Sequence, residues 1–172
     1  MLPTLQTERL VLRPLVEDDA GAMYLAFRDA ELMQWWSSGP HVDETQTRTY
    51  LNGTILWSDR KVWAITEDGG EALGYVALGA RREGVKELGY LLRRSHWGRG
   101  YAREAVAAII DHGFNAMKLR RIFADVDPDN LPSVELLKRL GFRQEGHLRA
   151  EWETHIGVRD SLIFGLLAEE WR

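Results

Sequence analysis

The sequence predicts an α/β fold in which helices flank a mixed, mostly antiparallel sheet. Two observations carry that reading. Strand-like runs between Val62 and Leu92 follow one another through short glycine-bearing turns, which makes an antiparallel meander. Immediately afterwards, Trp97-Gly98-Arg99-Gly100-Tyr101-Ala102-Arg103 leads from the last of these strands, Lys86 to Leu92, into a long amphipathic run, Ala102 to Met117. The rest of the chain is organised around that glycine turn.

Taken in order, Leu10, Leu12 and Leu15 with Arg9 and Arg13 predict a first strand, stopped near Pro14. From Glu17 the spacing turns helical, with Ala20, Met23, Tyr24 and Phe27 on one face and Asp18 and Asp19 suited to the first turn. A short helical piece carries Met33, Trp35 and Trp36 and ends at Ser37-Ser38-Gly39-Pro40. Asp43 with Gln46 resembles a capping box, and Thr47, Tyr50, Leu51, Ile55 and Leu56 then predict a helix from about Asp43 to Ser58.

The meander follows: Val62 to Thr66, a turn at Glu67-Asp68-Gly69-Gly70, Ala72 to Gly79, a turn at Arg81 to Gly84, and Val85 to Leu92. On the central helix Ala102, Val106, Ile109, Ile110, Gly113 and Phe114 fall on one stripe that should pack on the sheet. Arg121 to Val126 reads as a strand with Ile122, Ala124 and Val126 on one face, broken by Asp127-Pro128-Asp129-Asn130. Asn130 can cap a helix reaching Leu140, with Gly141 as its stop, and strands around Arg143 to Trp152 and Arg159 to Leu167 complete the chain. No repeat, linker or low-complexity segment appears, so residues 1–172 are expected to form a single domain.

Composition bounds the function. The 172 residues are 45% apolar and 28% charged, as in a globular domain large enough to bury a core unaided. There is no cysteine, which removes disulfides, thiolate nucleophiles and cysteine–metal sites and fits a reducing cytoplasm. The amino terminus lacks a basic segment followed by an apolar one, and no apolar run nears the roughly 18 residues of a membrane span, so the expectation is a soluble cytoplasmic protein. A net charge of -4 with both signs interspersed argues against nucleic-acid binding and tolerates a cationic substrate.

Two glycines at the mouth of a helix let a ligand approach the backbone, and the free first-turn N–H groups sit at the positive end of the helix dipole. That arrangement suits phosphate, and Arg94, Arg99 and Arg103 place three guanidinium groups within about one helical turn of it. A dinucleotide fingerprint would need a third glycine where Arg103 stands, and no Gly-x-x-x-x-Gly-Lys-Ser/Thr occurs. A turn that binds nothing is the alternative.

The order of elements, with Thr7-Glu8-Arg9-Leu10, Leu12-Arg13-Pro14, Glu87-Leu88-Gly89-Tyr90, Trp97 to Ala105, Asn130-Leu131-Pro132-Ser133, Leu140-Gly141-Phe142, Asp160 and Glu169-Glu170-Trp171, resembles the GNAT acyl-CoA N-acyltransferase fold over essentially the whole chain. It is most similar to the branch of ribosomal-protein N-terminal acetyltransferases. One departure is Trp97, which stands where the general pattern has Gln or Arg. The resemblance implies acetyl-CoA as cofactor. It places the backbone of Tyr90, Leu91 and Leu92 along the pantetheine arm and thioester, Gly98, Arg99, Gly100, Tyr101, Ala102 and Arg103 around the pyrophosphate, and Asn130 against the pantetheine. It implies an amine acceptor, either a peptide or protein N-terminus or a small molecule such as a polyamine, with a second copy of the chain as a candidate partner. A catalytically silent acyl-CoA binder is the alternative from another class.

Direct acyl transfer from a thioester to an amine needs no covalent enzyme intermediate, in keeping with the lack of cysteine and of a Gly-x-Ser-x-Gly elbow. A strand N–H near Leu91 or Leu92 is expected to polarise the carbonyl. Glu87 is the candidate base, and Ser133 the candidate proton donor to the thiolate. Their alternatives are a solvent-facing strand glutamate and a plain helix-start serine. Asn130 is a helix cap on sequence grounds, which is compatible with ligand contact. The five histidines show no His-x-x-x-His spacing, so no metal is expected, and Trp35-Trp36 are candidates to line the acceptor groove.

Overall fold

Why one strand pair splays apart is the feature of this fold that matters for function. The computed structural model describes residues 2–55 and 60–172. Among these, eight strands form one sheet: β1 (Leu5–Gln6), β2 (Val11–Pro14), β3 (Lys61–Thr66), β4 (Gly74–Arg82), β5 (Val85–Leu92), β6 (Arg121–Val126), β7 (Arg143–Thr154) and β8 (Gly157–Leu167). Their order is β1-β2-β3-β4-β5-β6-β8-β7. The pairs are antiparallel except β5 with β6, which is parallel and is joined through helix α4 (Tyr101–Asn115). That ladder covers only Val85↔Arg121, Lys86↔Ile122 and Glu87↔Phe123. Past Glu87, β5 stays on β4 as far as Leu92, and β6 stays on β8 as far as Val126. The sheet therefore forks between them.

The predicted elements reappear with shifted ends. The strand predicted first is β2, Val11–Pro14, with Leu10 and Leu15 buried at its flanks. β1 is too short to leave a sequence pattern. The stretch from Glu17 begins as a 3-10 turn, Glu17–Asp19, and only then becomes helix α1 (Ala20–Phe27). Asp19 serves less as a dipole charge than as the partner of Arg13, 2.6 Å away, and of the Val16 N–H. Helix α2 (Ala30–Met33) ends before the two tryptophans, which lie on the following turn. Helix α3 (Glu44–Ile55) starts as expected, the Gln46 N–H donating to the Asp43 carboxylate at 2.7 Å, although the Gln46 side chain reaches Val42 rather than Asp43. Its predicted end, Leu56 to Ser58 with Trp57, lies outside the described residues.

Strand alternation divides the core between the two faces of the sheet. Trp63, Ile65, Val76, Leu78, Leu88 and Leu92 face α4 and helix α5 (Leu131–Arg139), where Val106, Ile109, Ile110, Phe114, Val134 and Leu137 meet them. Val62, Ala64, Tyr75, Ala77 and Leu91 face the α1–α3 layer. Each fully buried large aliphatic side chain contributes about 1.5–3 kcal/mol of transfer free energy. Gly113 lets α4 sit close: a Cβ there would lie 3.1 Å from Ile122 Cδ1.

His41 sits in the α1–α3 layer, 5% exposed, stacked on Phe27 at 4.6 Å and 2.8 Å from the Thr47 hydroxyl through Nδ1. Desolvation holds its pKa below the usual histidine value. Below about pH 6.5 the unfolded chain takes up a proton that the folded chain refuses, so stability is complete above that pH and falls on acidification towards the folded-state value. Urea unfolding at pH 7, 6 and 5 should show a shallower pH slope for His41→Gln than for the wild type. Equal slopes would exclude His41 as the cause.

Candidate active site

The glycine turn is held open by its backbone and braced from outside. Gly98 and Gly100 have φ of +75° and +80°, left-handed values that side-chain-bearing residues rarely adopt. Gly100 is the N-cap of α4, and among the described residues no side chain caps that end, so its first-turn N–H groups face outward. The brace is Glu104. Its carboxylate accepts from the Thr7 hydroxyl at 2.6 Å, the Arg9 N–H at 2.8 Å and the Arg9 guanidinium at 2.8 Å, while Arg9 also donates to the Arg99 carbonyl at 2.8 Å. Desolvation pushes the Glu104 carboxyl up, but the hydrogen bonds from Thr7 and Arg9 outweigh it and hold the pKa below its usual value. Tyr101 is tied to Glu67 at 2.6 Å and carries Arg9 over its ring.

Arg94 corrects the expectation of three converging guanidinium groups. It is paired with Asp29 at 2.6 Å and Glu31 at 2.5 Å, and so fastens the 3-10 turn Arg94–His96 to the start of α2. Arg99 and Arg103 remain exposed beside the glycines, while Ala102 is half-buried against the core under α4. Trp97 has a definite task in place of the usual Gln or Arg: its indole N–H donates to the Leu92 carbonyl at 2.7 Å, closing the link from β5 to the turn.

On the other side of the fork lies a cavity of about 360 Å³. Glu87, Tyr90, Asn130 and Ser133 all line it; Leu91, Leu92 and the residues from Gly98 to Arg103 do not. Glu87 ends the parallel ladder, one-third exposed and 3.3 Å from the half-exposed Arg81. Tyr90 projects from the opposite face, packed against the α4–α5 core, with its phenolic oxygen 2.5 Å from Ser133 Oγ. Desolvation pushes the Tyr90 phenol up to about 12, the Ser133 hydrogen bond acting in the other direction. Asn130 caps α5, its side chain accepting from the Ser133 N–H at 3.4 Å while it borders the cavity. Leu91 is buried under the α1–α3 layer and Leu92 under α4, which leaves their main chain, not their side chains, for any ligand in the fork.

The remaining wall was not foreseen apart from Trp35 and Trp36, which do border the cavity. Asp125 enters from β6, accepting hydrogen bonds from the buried Ser161 hydroxyl and, at 2.9 Å, from the Trp152 indole. Trp152 reaches this position because β7 bulges between Leu148 and Trp152, with Ala150 at φ +52° and its N–H donating to Asp160 at 2.9 Å. Asp127 and Asp129 are occupied by Arg159, and Asp160 also by His147 at 2.7 Å. The signal for Asp125 was a carboxylate on the outward positions of a strand whose inward positions are Ile122, Ala124 and Val126. Among the described residues no group of three or more His, Asp or Glu could hold a metal, and no helix is long and apolar enough to cross a membrane.

An uncapped helix N-terminus behind two left-handed glycines, next to a strand edge without a ladder, fits a ligand with a phosphate end and a long amide-bearing arm. The Acetyltransferase (GNAT) domain matches residues 9–143. The chain belongs to the GNAT acetyltransferase family. As a GNAT acetyltransferase it transfers an acetyl group from acetyl-CoA to an amine, and the residues of turn and fork suit coenzyme A. The N-acetyltransferase p20 of Bacillus licheniformis is 35% identical over 176 residues, 99% of each chain. Among solved structures, RimL, a ribosomal L7/L12 α-N-protein acetyltransferase in complex with coenzyme A, superposes with a TM-score of 0.85 at 21% identity, covering 96% of this chain and 98% of RimL. Spermidine N-acetyltransferase from Vibrio cholerae, in complex with coenzyme A and spermine, gives 0.83 at 22%, covering 95% and 98%.

Proposed function

We propose that this GNAT enzyme acetylates the α-amino group of a peptide or protein, with Glu87 as base and Ser133 as proton donor. The observation that supports it is the cavity at the fork, where Glu87 from one face of β5 and the Tyr90–Ser133 pair from the other border one space. Acetyl-CoA, when bound, supplies an acetyl group activated as a thioester. The uncapped start of α4 with Arg99 and Arg103 binds the pyrophosphate, and the open edge of β5 at Tyr90, Leu91 and Leu92 pairs with the pantetheine beside Asn130. A β5 N–H near Leu91 stabilises negative charge on the carbonyl oxygen.

Glu87 takes the proton that the amine nitrogen sheds as it bonds to the acetyl carbon. Ser133 gives its hydroxyl proton to the sulfur as the carbon–sulfur bond breaks and regains one from Tyr90, which is protonated at neutral pH and is reprotonated through solvent as Glu87 releases the proton it took. One proton leaves the nitrogen and one reaches the sulfur, so the balance closes.

A carboxylate base favours an α-amine over a lysine. With a reference pKa near 7.7 to 8.0, roughly a tenth of it is neutral at pH 7, against about one in a few thousand for a lysine side chain near 10.4. Similarity to RimL points the same way. A peptide carrying a free terminus and an internal lysine should be acetylated at the terminus, as read by tandem mass spectrometry, and blocking the terminus should abolish turnover. Efficient lysine acetylation of the blocked peptide would refute the assignment. The second reading, a polyamine acceptor, is favoured by the four carboxylates among the cavity residues, Glu87, Asp125, Asp127 and Asp160, and by the likeness to spermidine N-acetyltransferase.

A further inference from the structure

We infer that Asp125 holds the acceptor's ammonium group, in a slot over Gly89 between β5 and β6; the inference rests on amine acetylation in the cavity proposed above. Glu87 and Phe123 are register partners in the parallel ladder, so alternation puts Glu87, Gly89 and Leu91 of β5 and Phe123 and Asp125 of β6 towards the same face. Asp125 lies two residues past Phe123, about 6.6 Å further along β6, where the strands have parted. Across the gap from it stands Gly89. A Cβ built on Gly89 would meet nothing within 4 Å, and its β4 neighbour in register is the small Ala77, with Gly79 opposite Glu87. Of these residues Ala77, Gly79, Glu87, Gly89 and Asp125 border the cavity. Its floor there is bare backbone, with one carboxylate on either side.

Asp125 differs from the other acids of the cavity in its partners. Asp127 faces Arg159 at 2.7 Å, Asp160 faces His147, and Glu87 faces Arg81. Among the described residues the hydrogen bonds of Asp125 come from two neutral groups, the Ser161 hydroxyl and the Trp152 indole. They fix the carboxylate's orientation without balancing its charge, and a carboxylate with about four lone-pair sites keeps two for a further donor. An ammonium supplies both the charge and the donors. Asp125 takes the first proton of that ammonium and releases it to water, and the neutral amine is left on the side of the fork on which Glu87 stands to take the second as the new bond forms.

The test uses steady-state kinetics of the full-length enzyme with acetyl-CoA and two probes, the peptide Ser-Ala-Ala-amide and spermidine. Asp125→Asn should raise the acceptor KM at least about tenfold, with the acetyl-CoA KM within twofold of wild type. Gly89→Ala adds only a methyl group in protein-free space and should raise the acceptor KM by a similar factor, with an unchanged thermal midpoint. An acceptor KM unaltered in both variants overturns the assignment. So does a parallel rise in both KM values with a lowered thermal midpoint, which is what a purely structural tie to Ser161 and Trp152 would give. Turnover of spermidine in preference to the peptide overturns the α-amine reading but not the Asp125 slot, which is then read on spermidine.

Discussion

Glu87→Gln and Ser133→Ala should each lower kcat by on the order of a hundredfold, about 2.7 kcal/mol of transition-state stabilisation, while coenzyme A affinity measured by calorimetry stays at the wild-type value. The geometry sharpens the expectation. Ser133 Oγ and the Tyr90 hydroxyl are 2.5 Å apart, so they act as one unit. The double variant Tyr90→Phe/Ser133→Ala should then be no slower than Ser133→Ala alone, because groups that work in sequence on one proton are not additive. Among the described residues Glu87 is held only by a half-exposed arginine at 3.3 Å, a surface pair of small energetic weight, so its replacement should leave the thermal midpoint within a degree or two. If both single variants turn over at the normal rate, positioning and the β5 backbone carry the reaction, and the roles given to Glu87 and Ser133 fall.

What the sequence made legible was local. Asn130 at the start of α5, the glycines before α4 and the apolar stripe from Val106 to Phe114 announce themselves within a few residues, since caps, left-handed turns and helical periodicity are short-range. The fork was only partly legible. A three-residue parallel ladder between β5 and β6 is set by packing of α4 and by the competing pairings to β4 and β8, none of which a single strand encodes. Arg94 illustrates the same limit: proximity in sequence suggested phosphate, whereas Asp29 and Glu31, more than sixty residues away, claim it. The Glu104 brace depends on Thr7 and Arg9 being folded back across the sheet edge, and Asp125 gains meaning only when the bulge in β7 brings Trp152 to it.

Gly100→Val should weaken coenzyme A binding at least about tenfold, roughly 1.4 kcal/mol, in a calorimetric titration. From sequence alone the added Cβ would meet only the ligand. The structure adds two protein-side costs: φ at this position is +80°, and the new Cβ would lie 3.3 Å from Arg9 Nη2. A β-branched residue in the left-handed region costs about 1–2 kcal/mol or more, enough to lower the thermal midpoint by several degrees without unfolding a domain of ordinary stability. Gly98→Ala separates the two effects, because its Cβ would meet no protein atom within 4 Å although φ is +75°. If the turn holds pyrophosphate, Gly98→Ala should also lose affinity at a smaller cost in stability, and the wild-type affinity should fall as salt is raised, since exposed Arg99 and Arg103 attract the phosphates through water. Full coenzyme A affinity in a folded Gly100→Val protein would remove the pyrophosphate from this turn.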